Sequence, residues 1–146
     1  MTSISAKPAP GTRTNGHAVA PAAPAPATPA ARSLRGRGVA RRVAIVIYPG
    51  VTLLDATGPA QVFSTAREIG GAAAPYEILL ASNAGPSVMT DTGIALAAVS
   101  LKQAASRPID TLIIAGGNDV LRACEDAALT RWIARQAPAA RRRGST

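Results

Sequence analysis

The sequence predicts an α/β fold built on a parallel sheet, of the flavodoxin-like sandwich type, and two observations support it. The run 43–48 is apolar and β-branched on both alternating faces, as in a strand that helices cover on both sides. Similar runs recur at 76–81 and 109–115, with helical patterns between them. Strands that alternate with helices imply crossover connections and therefore parallel pairing. The ordered length of about 100 residues is small for such a fold, so we expect an incomplete sheet and a chain that is a fragment.

The formal net charge of the chain is +8, and the excess of basic residues lies at its two ends. Residues 1–41 are rich in alanine and proline, contain no acid, and are predicted to form a disordered basic leader. Residues 42–146 are predicted to be the N-terminal part of one domain. Between the basic ends, acidic and basic residues nearly balance, so this domain has no basic stripe of the kind that follows nucleic-acid phosphates.

The single cysteine, Cys124, excludes an internal disulfide and suits a reducing compartment, so we expect a cytoplasmic protein. Its neighbours Glu125 and Asp126 disfavour a reactive thiolate and favour a packing role. No run approaches the ~18 apolar residues of a membrane span, and the sequence therefore predicts no membrane partner.

The first helix is predicted to follow the turn Pro49–Gly50, which ends the first strand. Pro59 suits the first turn of a helix, with Thr57 or Gly58 as its cap. Gly70–Gly71 ends the helical pattern. The predicted core face consists of Val62, Phe63, Ala66 and Ile69.

The rest of the chain predicts further strands and helices in alternation. After the strand 76–81, two short apolar runs at 88–89 and 94–99 flank a turn and indicate a hairpin. A short helix is predicted at 101–105, and the strand 109–115 follows it. The last predicted elements are a helix at 126–137 and a new strand near Arg141.

Asp55 is the first candidate site residue. It follows the first strand, and the carboxyl ends of parallel strands are where open α/β sheets bind ligands. A half-buried carboxylate there would suit hydrogen bonding to a ligand or proton transfer. The alternative is structural, because an aspartate before Thr57 and Gly58 can also stabilise a turn.

Gly116 and Gly117 are the second candidate pair, because they follow the apolar strand 109–115. Two glycines there would let main-chain N–H groups face a ligand without obstruction by a β-carbon, as an oxyanion hole requires. The alternative is a plain strand-to-loop turn. The sequence has no dinucleotide fingerprint, phosphate loop or cluster with metal-ligand spacing, so it predicts neither a cofactor nor a metal.

Taken together, these motifs resemble a known superfamily. The run Leu54-Asp55-x-x-Gly58-Pro59-x-x-x-Phe63, the second strand beginning Tyr76-Glu77-Ile78, and a glycine-bearing hairpin before Gly116–Gly117 are similar to PfpI/ThiJ proteins, also called class I glutamine amidotransferase-like. More narrowly, residues 42–146 resemble the N-terminal domain of AraC/XylS-type (GlxA-like) transcriptional regulators.

The resemblance implies roles for five residues. Asp55 matches the position that assists a reactive cysteine in isocyanide hydratase-like relatives, and Gly116 and Gly117 match the oxyanion-side loop. Thr57 and Gly58, with Pro59, match the turn that seats the first helix. The ligand-binding set implied is Asp55, Thr57, Gly58, Gly116 and Gly117, and Asp55 is catalytic only if the parent protein is an enzyme.

The resemblance also implies what lies beyond this chain. In the family, a cysteine on a sharp turn follows the strand that begins here near Arg141, and Ser145–Thr146 would align immediately before it. We therefore expect this chain to be truncated before the cysteine and to lack the helix-turn-helix module that binds DNA in the regulators.

Three functional hypotheses follow. The first is a ligand-sensing or dimerisation domain of a transcriptional regulator, which would bind a small-molecule effector, form a homodimer and reach DNA only through the missing module. The second is part of a stand-alone cysteine hydrolase or hydratase. The third is a truncated half-domain without activity of its own. The first two require Asp55 to converge on one pocket with Gly116 and Gly117.

Overall fold

The computed structural model describes residues 40–71 and 75–146. Nearly all of the leader predicted at residues 1–41 lies outside the described residues. The described region forms a five-stranded parallel sheet, a two-stranded antiparallel hairpin and four helices. The strands are β1 Arg41–Val46, β2 Tyr76–Ser82, β3 Ser87–Met89, β4 Ala95–Ala97, β5 Val99–Ser100, β6 Thr111–Ile114 and β7 Arg142–Ser145. The helices are α1 Leu53–Gly70, α2 Leu101–Ala104, α3 Val120–Glu125 and α4 Ala127–Gln136.

The main sheet has the order β5-β2-β1-β6-β7, and every neighbouring pair is parallel. Strand β1 lies at the centre, with Val43 opposite Ile78 of β2 on one side and Thr111 of β6 on the other. Its apolar residues are fully buried because both faces of the strand are covered. The predicted parallel α/β fold is confirmed.

The direction of strand addition reverses at β1, because the chain next adds β2 and β5 on one side and later β6 and β7 on the other. The crevice at the carboxyl ends of β1 and β6 is therefore the topological switch point of the sheet. Asp55 lies in the first turn of α1, which follows β1, and the paired glycines lie in the loop that follows β6.

Helix α1 begins at Leu53, and the predicted start at Pro59 with Thr57 or Gly58 as the cap is wrong. The Asp91 carboxylate accepts the N–H of Leu53 at 3.1 Å, so a residue distant in sequence satisfies one of the free donors of the first turn. Pro59 consequently lies inside the helix.

The predicted core face of α1 is wrong in two of its four positions. Val62 and Ile69 are 66% and 84% exposed. The residues that pack on the core are instead Ala56, Ala60 and Phe63, three or four residues apart. Both faces of this helix carry apolar side chains, so periodicity alone did not identify the buried face.

The other predicted elements occur close to their expected positions. The hairpin of β3 and β4 is confirmed, and helix α2 begins with a reciprocal capping box between Ser100 and Gln103. Asp126 caps α4 by accepting the N–H groups of Ala128 and Leu129. The sequence did not predict α3. Within the described ranges, none of the helices has the length and apolar content needed to cross a bilayer.

A buried arginine ties the amino ends of the central strands to helix α2. Arg42 is only 6% exposed, forms a bidentate ion pair with Glu77, and donates to the carbonyl oxygen of Ala104 at 2.9 Å. The exposed Arg107 donates to the Oε2 atom of Glu77 at 2.8 Å, an atom that Arg42 also bonds. This cluster lies at the opposite end of the sheet from the switch point and is structural.

Candidate functional site

The loops after β1 and β6 meet at the switch point. A β-turn closes at Tyr48 and Val51, with Pro49 and Gly50 at its centre and a hydrogen bond of 3.0 Å across it. Gly50 has a φ of +77°, the conformation that the third position of a type II turn requires. Val51 then forms an antiparallel bridge to Gly117.

Gly117 has no room for a side chain. A β-carbon at this position would lie 2.8 Å from the carbonyl oxygen of Gly50 and 2.8 Å from the α-carbon of Val51. The loop after β6 therefore runs directly against the loop after β1, and the N–H of Thr52 donates to the carbonyl oxygen of Gly116 at 3.0 Å. Gly117 therefore allows the main chain of the loop after β6 to pack directly against the loop after β1.

The structure brings Asp55 and Gly116 together. Asp55 is the third residue of α1, and a β-carbon on Gly116 would lie 2.5 Å from its Oδ2 atom. The same β-carbon would lie 2.8 Å from the carbonyl oxygen of Thr146, beyond the end of β7. The carboxylate, the first glycine and the end of β7 therefore share one small space.

Pro59 explains a further feature of this space. It has no N–H to donate to the carbonyl oxygen of Asp55 four residues earlier. That oxygen instead accepts a long hydrogen bond of 3.5 Å from the Thr146 hydroxyl, which in turn accepts the N–H of Gly116 at 3.0 Å. The Gly116 amide that was predicted to face a ligand is thus engaged by Thr146 in this structure.

Thr57 and Gly58 lie apart from the glycine loop. The Thr57 hydroxyl donates to the carbonyl oxygen of Leu53 within α1 at 2.8 Å. Thr57 also lines a cavity of about 240 Å³ whose other lining residues include Asp91 and neither Asp55 nor the paired glycines. A β-carbon on Gly58 would meet only the Leu54 side chain, at 3.9 Å.

Sequence reasoning missed Tyr48, which lies at the end of the apolar run of β1. Its side chain is 4% exposed, and its hydroxyl has no hydrogen-bond partner among the residues that the structure describes. Burial raises the pKa of this phenol, and the Cys124 thiol and the carboxylates of Asp55 and Asp119 raise it further. The only signal in the sequence was a hydroxyl-bearing residue at the end of the apolar run 43–48, two residues beyond the end of β1.

In the described part of the chain, no group of three or more histidine, cysteine, aspartate or glutamate side chains could hold a metal ion. The arrangement at the switch point consists of one carboxylate, one main-chain carbonyl freed by a proline, and two glycines. Such a set can accept hydrogen bonds from a small polar molecule or orient a proton donor.

Comparisons with known proteins indicate the same architecture. No protein-family model matches the chain. An uncharacterized protein from the cpoL 5′ region of Streptomyces lividans is 36% identical over 77 residues, which cover 53% of this chain and 52% of that protein. The chain therefore spans about half the length of this curated relative.

Two solved structures have a similar fold. A ThiJ/PfpI family protein from Pseudomonas syringae has a TM-score of 0.63 and 23% identity, with 73% of this chain matched to 42% of that one. An AraC family transcriptional regulator from Pseudomonas putida has a TM-score of 0.56 and 24% identity, with 71% of this chain matched to 55% of that one. The described region therefore has the flavodoxin-like fold of ThiJ/PfpI-type proteins, a fold also found in an AraC family regulator.

Proposed function

We propose that this chain is the ligand-sensing or dimerisation region of a transcriptional regulator, and that DNA binding belongs to a module outside the elements described here. The observation that carries the proposal is the convergence of Asp55 and Gly116 at the switch point of the sheet. Open α/β sheets bind ligands in that crevice. The AraC family regulator with a similar fold supports a regulatory role over other uses of such a crevice.

The effector in this proposal is a small polar molecule bound at the carboxyl edge of β1 and β6. The Asp55 carboxylate and its freed main-chain carbonyl are acceptors, so they favour a molecule that carries hydrogen-bond donors. Thr146 already joins this carbonyl to the Gly116 amide. A ligand that displaced the Thr146 hydroxyl would therefore move the end of β7, which offers a route from binding to a change in the sheet.

Helix α1 supplies the proposed dimer surface. Leu54, Val62 and Ile69 are 72%, 66% and 84% exposed and lie on one face of the helix. The same face holds the exposed polar side chains of Gln61 and Thr65 but no charged residue, and an uncharged face can be self-complementary, as the interface of a two-fold dimer requires. The occupant of this face in our proposal is a second copy of the chain.

The dimer surface is tested by sedimentation of the chain and two matched variants. Val62→Glu places a charge in the α1 stripe and is expected to give monomers at concentrations where the natural sequence gives dimers. Leu121→Glu places the same charge on α3, where Leu121 is 79% exposed, and is expected to leave the dimer intact. A monomeric natural sequence, or equal effects of the two variants, would exclude this surface.

The regulatory role is tested at the level of the gene. The coding sequence that follows the Thr146 codon is expected to encode about 100 further residues with two helix-turn-helix units. A stop codon after only one more strand and helix would overturn the regulator proposal. It would not affect the observation that Asp55 and Gly116 converge at the switch point.

A second candidate function is a cysteine hydrolase or hydratase, because the Asp55 carboxylate lies beside the end of β7, near where the family cysteine would follow. The ThiJ/PfpI protein of similar fold supports it. In the natural full-length protein, Asp55→Asn is expected to abolish turnover, whereas Glu68→Gln on the exposed surface of α1 is expected to preserve it. Full activity of the Asp55→Asn variant would exclude this role.

A further inference from the structure

Arginines are concentrated at the amino ends of two strands of the main sheet. Strand β1 begins with Arg41 and Arg42, whereas β7 is preceded by Arg141 and begins with Arg142. The two strands are parallel and have only β6 between them, so both begin at the same edge of the sheet, about 10 Å apart across it. Residue order did not reveal this concentration of charge, because its members come from opposite ends of the described region.

We call this surface the amino-edge patch. Glu77 pairs with Arg42 and Arg107, and Arg107 also reaches the main chain just before β1. Asp110 pairs with Arg141. These two carboxylates oppose six guanidinium groups, so the patch keeps an excess of positive charge. The six arginines are Arg41, Arg42, Arg107, Arg141, Arg142 and Arg143.

Three arginines of the patch are exposed and form no ion pair in the part of the chain that the structure describes: Arg41, Arg142 and Arg143. Arg142 is in register with Thr111, and Thr111 is in register with Val43. Arg41 lies two residues before Val43 and therefore shares the face of Arg142. Arg143 lies on the opposite face of β7, so the positive surface extends around both sides of this edge strand.

The remaining charges direct an anion toward the amino edge. Arg67 and Glu68, near the end of α1, balance each other. The chain enters β1 at this edge, and residues 1–40 contain five basic residues and no acid. An anionic partner is therefore attracted to the amino edge and repelled from the opposite edge. The acids at that opposite edge, around the switch point, are Asp55, Asp91, Asp119, Glu125 and Asp126.

We propose that the amino-edge patch binds the phosphate backbone of a nucleic-acid duplex without reading its bases. The planar guanidinium group of arginine matches phosphate oxygens in both geometry and charge. Phosphate contacts of this kind position a protein on a duplex and carry no sequence information. Base-specific recognition stays with the module proposed above, and the inference about this patch does not rest on the regulatory role.

The side chains around the patch favour a duplex over a single strand or a membrane. Single-stranded binding uses exposed aromatic side chains on which bases stack. The aromatic residues of the chain are all at least partly buried, and residues 1–40 contain none. Membrane-surface binding combines basic residues with several apolar side chains that insert. Among the described residues, Ile69 is the one exposed large apolar side chain at this end of the sheet.

Binding is measured by the fluorescence anisotropy of labelled duplexes of about 20 base pairs, titrated with the 146-residue chain at several salt concentrations. The logarithm of the binding constant is expected to fall linearly with the logarithm of the salt concentration, with a slope of about −3 or steeper. Two DNA duplexes of unrelated sequence and one RNA duplex are expected to bind within about 3-fold of one another, because they share the phosphates. A slope shallower than about −2, a larger preference among the duplexes, or tighter binding to phosphatidylserine vesicles would overturn the proposal.

Matched variants locate the contact on the molecule. Arg142→Gln combined with Arg143→Gln removes two charges from the patch and is expected to make the salt slope shallower by about 2 and to weaken binding about 10-fold or more. Arg122→Gln combined with Arg131→Gln removes the same charge from α3 and α4 and is expected to leave the slope unchanged. Arg41→Gln is expected to reduce the slope by about 1 from a different strand, which keeps the test decisive if the β7 variant does not fold. Equal slopes for the two double variants, or an unchanged slope for Arg41→Gln, would refute the assignment.

Discussion

The Thr146 hydroxyl donates to the main-chain carbonyl oxygen of Asp55 over 3.5 Å. The contact joins the end of β7 to the first turn of α1, across 91 residues of sequence. It exists because Pro59 cannot offer the N–H that would normally occupy this oxygen. The helix carbonyl that lacks its usual partner, the end of β7 and the Gly116 amide are therefore joined by hydrogen bonds at the switch point.

Gly116→Ala is expected to destabilise the chain by about 1–3 kcal/mol, because its β-carbon would overlap the Asp55 carboxylate and the Thr146 carbonyl. Gly144→Ala is the matched control, since a β-carbon there meets no atom of the described part of the chain within 4 Å. Urea unfolding of both variants measures the difference. Equal stabilities would show that the crevice has more room than the structure gives it.

Pro59→Ala restores the missing N–H and is expected to raise the free energy of unfolding by about 1–3 kcal/mol. The new intrahelical bond competes for the Asp55 carbonyl, so the Thr146 amide should exchange its hydrogen faster than in the natural sequence. Hydrogen exchange followed by NMR reports this effect separately from global stability. Slower exchange at Thr146 would contradict the role given to Pro59.

Arg42→Met is expected to cost about 2–4 kcal/mol, because it leaves the Glu77 carboxylate and the Ala104 carbonyl without their buried donor. Arg107→Met removes the exposed partner of the same glutamate and is expected to cost less than about 1 kcal/mol, because 46% of the Arg107 side-chain surface is accessible to solvent. Urea unfolding of the two variants under one set of conditions provides the comparison. A larger loss for Arg107→Met would reverse the assignment of the buried partner.

The same cluster predicts a pH dependence. Hydrogen bonds from Arg42 hold the pKa of Glu77 below its ordinary value, and the charges of Arg42 and Arg107 lower it further. A lowered folded pKa means that this contribution to stability is present above the unfolded pKa of about 4.3 and is lost as the pH falls through the folded value. The stability gap between the natural sequence and Glu77→Gln should therefore shrink on acidification from pH 7 to pH 3. A constant gap would show that the ion pair is not linked to folding.

Tyr48→Phe is expected to leave stability unchanged or to raise it by up to about 1 kcal/mol, because the hydroxyl that it removes has no hydrogen-bond partner in residues 40–71 and 75–146. Burial raises the pKa of this phenol in the folded chain, so its protonated form favours the folded state. The contribution is present below the unfolded pKa of about 10 and is lost as the pH rises through the folded value. Urea unfolding at pH 7 and absorbance titration at high pH measure the two effects, and a clear loss of stability at pH 7 would show that the hydroxyl is bonded.

The sequence by itself determined the alternation of strands and helices. The spacing of apolar residues and the positions of turn residues determine secondary structure over a few neighbouring positions. The buried run of β1, the hairpin of β3 and β4, and the cap of α4 at Asp126 are local patterns of this kind. Local patterns also indicated that Asp55 and Gly116 follow buried strands, at the carboxyl edge of the sheet.

Only the tertiary structure decided where α1 begins and which of its faces is buried. Asp91, far along the chain, satisfies the N–H of Leu53, and the sheet selects Phe63 over Val62 for the core. The unpaired hydroxyl of Tyr48 and the bond from Thr146 to Asp55 likewise depend on segments that meet only after folding. The physical reason is that hydrogen-bond satisfaction and close packing are properties of neighbours in space, which residue order does not specify.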